Sequence, residues 1–211
     1  PGVGLTYFRV FSNTAAATLN QMIISGGNLT FGLQIDAVGA GIYNTGALTL
    51  TNSVVARNRV YGNDPGYGAG IYSENGGSVT LVNSTLISNT AHYGGGLYLD
   101  SGVALLDHAT VVTNTATSIS VNASSGGGIY INGGALIVTN TSVISGNVAS
   151  STLNTSSGGG LYAAAGTKVQ LAGSTIANNR ALASGGGVYS AGQLTVTNSI
   201  ISGNTVSQNA G

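Results

Sequence analysis

Six times along 211 residues, a Gly-x-Gly triplet is followed by Ile, Leu or Val and then by Tyr. The copies read GAGIY at 39–43 and 68–72, GGGLY at 94–98, GGGIY at 126–130, GGGLY at 158–162 and GGGVY at 185–189. Their tyrosines, Tyr43, Tyr72, Tyr98, Tyr130, Tyr162 and Tyr189, are spaced 29, 26, 32, 32 and 27 residues apart. A second mark, an aliphatic residue three before an Asn, closes each unit. The pairs are Val55/Asn58, Leu86/Asn89, Val111/Asn114, Ile144/Asn147, Ile176/Asn179 and Ile201/Asn204. Self-similarity at this period means a solenoid, a propeller or an array.

The pattern inside each unit chooses among these. ALTLTNS, SVTLVNS, ALIVTNT and QLTVTNS alternate apolar and polar residues, which is the period of a strand. No segment carries helical spacing with caps. Each unit is read as about three short strands joined by Gly, Asn and Ser corners. A WD40-type blade needs roughly 40 or more residues, so the units suit one turn of a β-helix instead.

Aligned units give apolar columns: Ile42, Ile71, Leu97, Ile129, Leu161 and Val188; Leu48, Val79, Ala104, Leu136, Val169 and Leu194; Leu50, Leu81, Leu106, Val138, Leu171 and Val196. The aliphatic residues before the closing Asn form a fourth. Strands about 4.8 Å apart would pack these columns into one core, which no single turn can bury alone. The closing asparagines, Asn58, Asn89, Asn114, Asn147, Asn179 and Asn204, are expected to bond one another along the axis as a ladder. A second, imperfect ladder is expected at Asn52, Asn83, His108, Asn140, Gly173 and Asn198.

The fold expected is all-β: a right-handed parallel β-helix of about seven turns of roughly 25–33 residues. Residues 1–38 read as an irregular first turn or N-terminal cap, and 39–211 as regular repeats in one domain. Within the first part, VFSN at 10–13 imitates the Asn mark, LNQMIISGGN at 19–28 imitates a later strand and corner, and PGVGLTYF at 1–8 imitates the Gly-Tyr motif.

The two marks resemble the Gly-Gly-Ala-(Ile/Leu/Val) and Phe-x-x-Asn repeats of chlamydial polymorphic outer-membrane proteins, and more widely bacterial surface proteins with right-handed β-helix repeats. The resemblance covers roughly 39–204; aliphatic residues stand where the Phe would be, and Gly-Gly-Gly or Gly-Ala-Gly replaces Gly-Gly-Ala. It implies an extracellular or cell-surface passenger or adhesive stalk and no catalytic residues.

Composition narrows the function classes. Charged residues are 5% of the chain and the net charge is zero, so the clustered Lys and Arg that nucleic acid requires are missing. There are no cysteines, which removes disulfides and thiolate metal sites. No apolar run approaches 18 residues, so no membrane insertion is expected. Polysaccharide lyases and hydrolases on β-helices need clustered carboxylates; the acids here are Asp36, Asp64, Glu74, Asp100 and Asp107. Only Glu74 and Asp100 share a column, each two residues after its Tyr, and they are read as solvated carboxylates at a corner rather than a cation or acid–base pair. Asp107-His108 is read as a ladder substitution, and His92 as exposed. Ice binding would need a flat Thr-x-Thr array, which only Thr49/Thr51 and Thr195/Thr197 show.

No cofactor, metal or catalytic residue is therefore expected. The expected role is an extracellular structural or adhesive solenoid, self-associating end to end into filaments. A carbohydrate-binding or pectate lyase-like β-helix is the alternative. The candidate surface is the six-tyrosine stripe with Glu74 and Asp100. Its alternating position should face it outward, toward glycans, a host or neighbour surface. Variable loops, of which 115–125 and 148–157 are the longest, should cluster on one edge.

Overall fold

The computed structural model describes residues 8–30, 37–61, 65–118, 123–152 and 155–207. Among them there is no helix; the chain winds through four parallel sheets of seven strands each. A representative coil places Ile129–Ile131 in the first sheet, Ala135–Thr139 in the second, Val143–Ser145 in the third and Val148–Ser151 in the fourth. Every strand pairs with its counterpart one coil away, so the fold is a parallel β-solenoid. Each coil thus has four main strands rather than about three. The fourth is short, and its inward column is mostly Ala91, Ala116, Ala149 and Ala181, residues that carry little hydrophobic period.

The predicted apolar columns are in register. Ile71 pairs with Ile42 and Leu97, Leu136 with Ala104 and Val169, Val138 with Leu106 and Leu171, and Ile144 with Val111 and Ile176. Together they form one continuous core whose inner members are fully buried. Each such aliphatic contributes on the order of 1.5–3 kcal/mol.

The asparagine ladder is complete. Asn114 donates both its backbone N–H (2.9 Å) and its Nδ2 (3.1 Å) to Asn147 Oδ1, and Asn147 does the same to Asn179 Oδ1. Each Nδ2 also reaches back to a strand carbonyl: Asn147 to Val111, Asn179 to Ile144. The amides are buried yet fully partnered, as burial of a polar group demands. Because the side chains serve the preceding coil, the ladder has a direction. The first described coil has Gly27 at this position, and its N–H donates to Asn58 Oδ1.

The Gly-x-Gly triplet is the ladder's steric complement. A β-carbon on Gly128 would stand 2.7 Å from the Gly160 carbonyl oxygen and 3.0 Å from the Asn147 amide carbon. Gly126, the first of the triplet, has φ +66°, a conformation that side chains disfavour. The two sequence marks recur together because they occupy one space.

Two expectations are corrected. Asn52, Asn83, His108, Asn140, Gly173 and Asn198 are not an amide ladder; all have φ between 47° and 61° and form a left-handed corner. Asn is favoured there because it tolerates that conformation. The buried ladder beside it belongs instead to serines: Ser53 N–H donates to Ser84 Oγ, and Ser174 N–H to Ser199 Oγ. The segment within 1–38 that is described is also regular. Phe11–Asn13, Ala16–Asn20, Ile23–Ser25 and Asn28–Thr30 pair with the next coil in all four sheets. Asn13 of VFSN joins the column of Asn44, to which its Nδ2 donates at 2.8 Å, not the closing ladder. The PGVGLTY part of the imitated motif lies outside the described residues.

Candidate functional site

The motif tyrosines stand one residue beyond the buried aliphatic column of the first sheet, so their rings leave the sheet on its outer side and fall over one another. Tyr98 stacks on Tyr130 with centroids 5.0 Å apart and planes 7° apart, Tyr130 on Tyr162 at 4.5 Å, and Tyr162 on Tyr189 at 4.9 Å. Tyr43, Tyr72 and Tyr98 continue the stack at 6.0 and 5.3 Å. All six predicted stripe residues are thus brought together.

The stripe is not uniformly exposed. Tyr72 and Tyr98 are only 8% and 6% accessible. They lie beneath a second tyrosine layer that the motif does not contain. Tyr67 and Tyr93 precede the first glycine of their coils and stack on each other at 5.5 Å. Tyr67 meets Tyr98 edge-on at 4.9 Å and 63°, and Tyr93 meets Tyr130 at 5.5 Å and 76°. The same bridging column continues as Ser125, and a serine pair, Ser157 and Ser184, bridges in the later coils, so the second layer stops at Tyr93. The signal was available, since Tyr67 and Tyr93 each stand directly before the first glycine of the triplet, but variable flanking loops hid it.

The acids divide between separate tasks. Glu74 accepts hydrogen bonds from the hydroxyls of Tyr43 and, at 3.0 Å, Tyr72. Asp100 accepts from the Asn132 amide at 2.9 Å. Asp107 accepts from Asn140 Nδ2 at 2.8 Å and lies 2.7 Å from His108 Nδ1 on an exposed corner. These contacts, the Asn140 amide foremost, hold the Asp107 carboxyl below its ordinary range. Asp36 and Asp64 lie outside the described residues. No group of three His, Cys, Asp or Glu able to hold a metal occurs among the described residues.

Burial, foremost, pushes the hydroxyl titrations of Tyr72, Tyr98 and Tyr130 upward; beside Glu74 the Tyr43 hydroxyl is raised chiefly by its hydrogen bond to that carboxylate. These four hydroxyls therefore stay uncharged well above neutral pH. At its start the Arg9 guanidinium lies 4.6 Å over the Tyr43 ring and donates to the carbonyls of Gly39 and Val38. His92, expected at the surface, is buried because its Nδ1 accepts the Gly66 N–H at 2.8 Å, which ties down the loop that carries Tyr67.

Where the two tyrosine layers meet, Pro65, Tyr67, Tyr93, Tyr98, Tyr130 and Asn132 enclose a shallow cleft of about 310 Å³. No helix among the described residues is long and apolar enough to cross a membrane. No family model, curated protein or solved structure matches this chain.

Proposed function

We propose that the protein is an extracellular structural or adhesive rod that presents its tyrosine face to a neighbouring surface. The observation that carries this reading is the unbroken register of seven strands in each of four sheets, built with charged residues at only 5%. Ladders of neutral amides and hydroxyls hold the coils together, so their strength depends little on salt or pH between the carboxylate and tyrosine ranges. The resemblance of the repeats to surface-protein repeats supports the same location. Labelling of intact source cells with an antibody to this chain tests it: accessible, protease-sensitive label is expected, and label seen only after lysis contradicts it.

End-to-end stacking belongs to this reading. Electron microscopy of purified protein distinguishes fibres, which support stacking, from uniform short rods, which exclude it.

Carbohydrate binding is the second reading, favoured by one observation: the cleft between the tyrosine layers with an amide–carboxylate pair beside it.

A further inference from the structure

We propose that the corner formed by Tyr93, Tyr98, Tyr130 and Asn132 is a binding subsite for a single neutral pyranose unit of a glycan. The inference rests on the carbohydrate-binding reading and gives that reading a place and a ligand class.

Three features of the corner point to this ligand. The first is its walls. The Tyr67–Tyr93 stack and the Tyr98–Tyr130 stack meet at interplanar angles of 63° and 76°, which makes a rigid aromatic angle rather than a flat patch. The C–H face of a pyranose packs on aromatic surface; Tyr98 is nearly buried and Tyr130 is stacked on both faces, so Tyr93, stacked on Tyr67 and edge-on to Tyr130, is the ring that receives it. Rigidity matters because little side-chain entropy is lost on binding. Tyr98 and Tyr130 are each held between ring neighbours on both sides, and the Tyr67 loop is anchored through His92.

The second feature is the polar end. Asn132 lines the cleft, and its Nδ2 donates to Asp100 Oδ1 at 2.9 Å. That bond leaves the amide oriented, with a carbonyl oxygen and a second N–H for ligand hydroxyls. The carboxylate behind it strengthens such bonds. Adjacent hydroxyls on a sugar ring match a planar amide, which donates and accepts, beside a carboxylate, which accepts.

The third is charge. None of the six lining residues is charged, and the Asn132 amide is bonded to the Asp100 carboxylate. Phosphorylated, sulfated or uronic ligands would meet repulsion with no compensating cation. The hydroxyls of Tyr93, Tyr98 and Tyr130, whose titrations burial raises, stay neutral. The volume of about 310 Å³ suits one ring rather than a chain.

The test is an NMR titration of the intact chain with cellohexaose, maltohexaose, mannohexaose and, as the charged comparison, trigalacturonate. We expect saturable shifts of the Asn132 side-chain amide and the Tyr93 ring with at least one neutral glycan. Tyr93→Ser should weaken binding at least tenfold without loss of folding, since Ser occupies this column in later coils. Tyr189→Ser, far along the stack, should leave affinity unchanged. Should Tyr93→Ser unfold the chain, Asn132→Ala, at an exposed position, replaces it with the same expected loss. No saturable shift with any neutral glycan overturns the subsite and the carbohydrate reading together. Saturable shifts confined to another face, full affinity in both variants, or preference for trigalacturonate overturn the subsite alone.

Discussion

Gly128 and Asn147 compete for one volume: a β-carbon on the glycine would stand 3.0 Å from the amide carbon of the asparagine. The same relation recurs as Gly96 with Asn114, Gly160 with Asn179 and Gly187 with Asn204. The Gly-x-Gly motif that opens a coil and the Asn that closes it are therefore one device, seen twice in the sequence.

Asn147→Ala should destabilise the chain by about 1–3 kcal/mol, because it orphans the buried Asn114 N–H and removes the ladder partner of the Asn114 amide. Gly128→Ala should cost roughly 1–3 kcal/mol through overpacking. The double variant should cost about 1 kcal/mol less than the sum, since the missing amide makes room for the new methyl group. Chemical denaturation of the four proteins gives the coupling. Strict additivity would mean that the two residues do not share a volume.

Alternation along the second sheet makes a sharper local contrast. Leu136 is fully buried and Ile137, next to it, is not. Leu136→Ala should cost about 2–5 kcal/mol. Ile137→Ala should cost about 1 kcal/mol or less. Similar losses at both positions would contradict the observed face assignment.

The four aliphatic columns and the asparagine ladder were readable because each recurs at a fixed place beside an unmistakable motif. Features without such a marker were not. The alanine column Ala91, Ala116, Ala149 and Ala181 lacks the contrast that announces a strand, so a whole sheet was missed. His108 and Asn140 read from sequence as ladder residues because Asn serves equally a ladder and a left-handed corner, and only φ tells them apart. The motif tyrosines were found, but their covering layer was not, because Tyr67 and Tyr93 stand at the ends of loops of unequal length. Alternation gave the right face for Tyr98 and could not report what packs over it.

One inner coil departs from the serine ladder and offers a gain-of-stability test. In register with Ser84 stands Ala109, so the Ser84 N–H meets a methyl group where the Ser53 N–H meets a hydroxyl. Ala109→Ser should supply the acceptor and raise stability by about 0.5–1.5 kcal/mol, measured as a shift in denaturation midpoint. A loss of stability would show that the site is too tight for an oxygen.

Alkaline titration reads the tyrosine stack. Tyr72, Tyr98 and Tyr130 have folded pKa values raised above the ordinary 10.0, foremost by burial. Their contribution is fully present below pH of about 10 and lost as pH rises through the folded values. Tyrosinate absorbance should therefore lag behind that of the denatured chain, and stability should fall steeply beyond pH about 10. Tyr98→Phe, which keeps the ring, should remove one of the late-titrating groups. A folded chain whose tyrosines all ionise together near pH 10 would contradict this burial.

The register of the coils is tested most directly by ring-to-ring nuclear Overhauser contacts among the motif tyrosines, assigned by single Tyr→Phe substitutions. The stack predicts contacts in strict order, Tyr43 to Tyr72, Tyr72 to Tyr98, Tyr98 to Tyr130, Tyr130 to Tyr162 and Tyr162 to Tyr189, with centroids 4.5 to 6.0 Å apart. Contacts between Tyr98 and Tyr189, or none between Tyr98 and Tyr130, would contradict the solenoid itself.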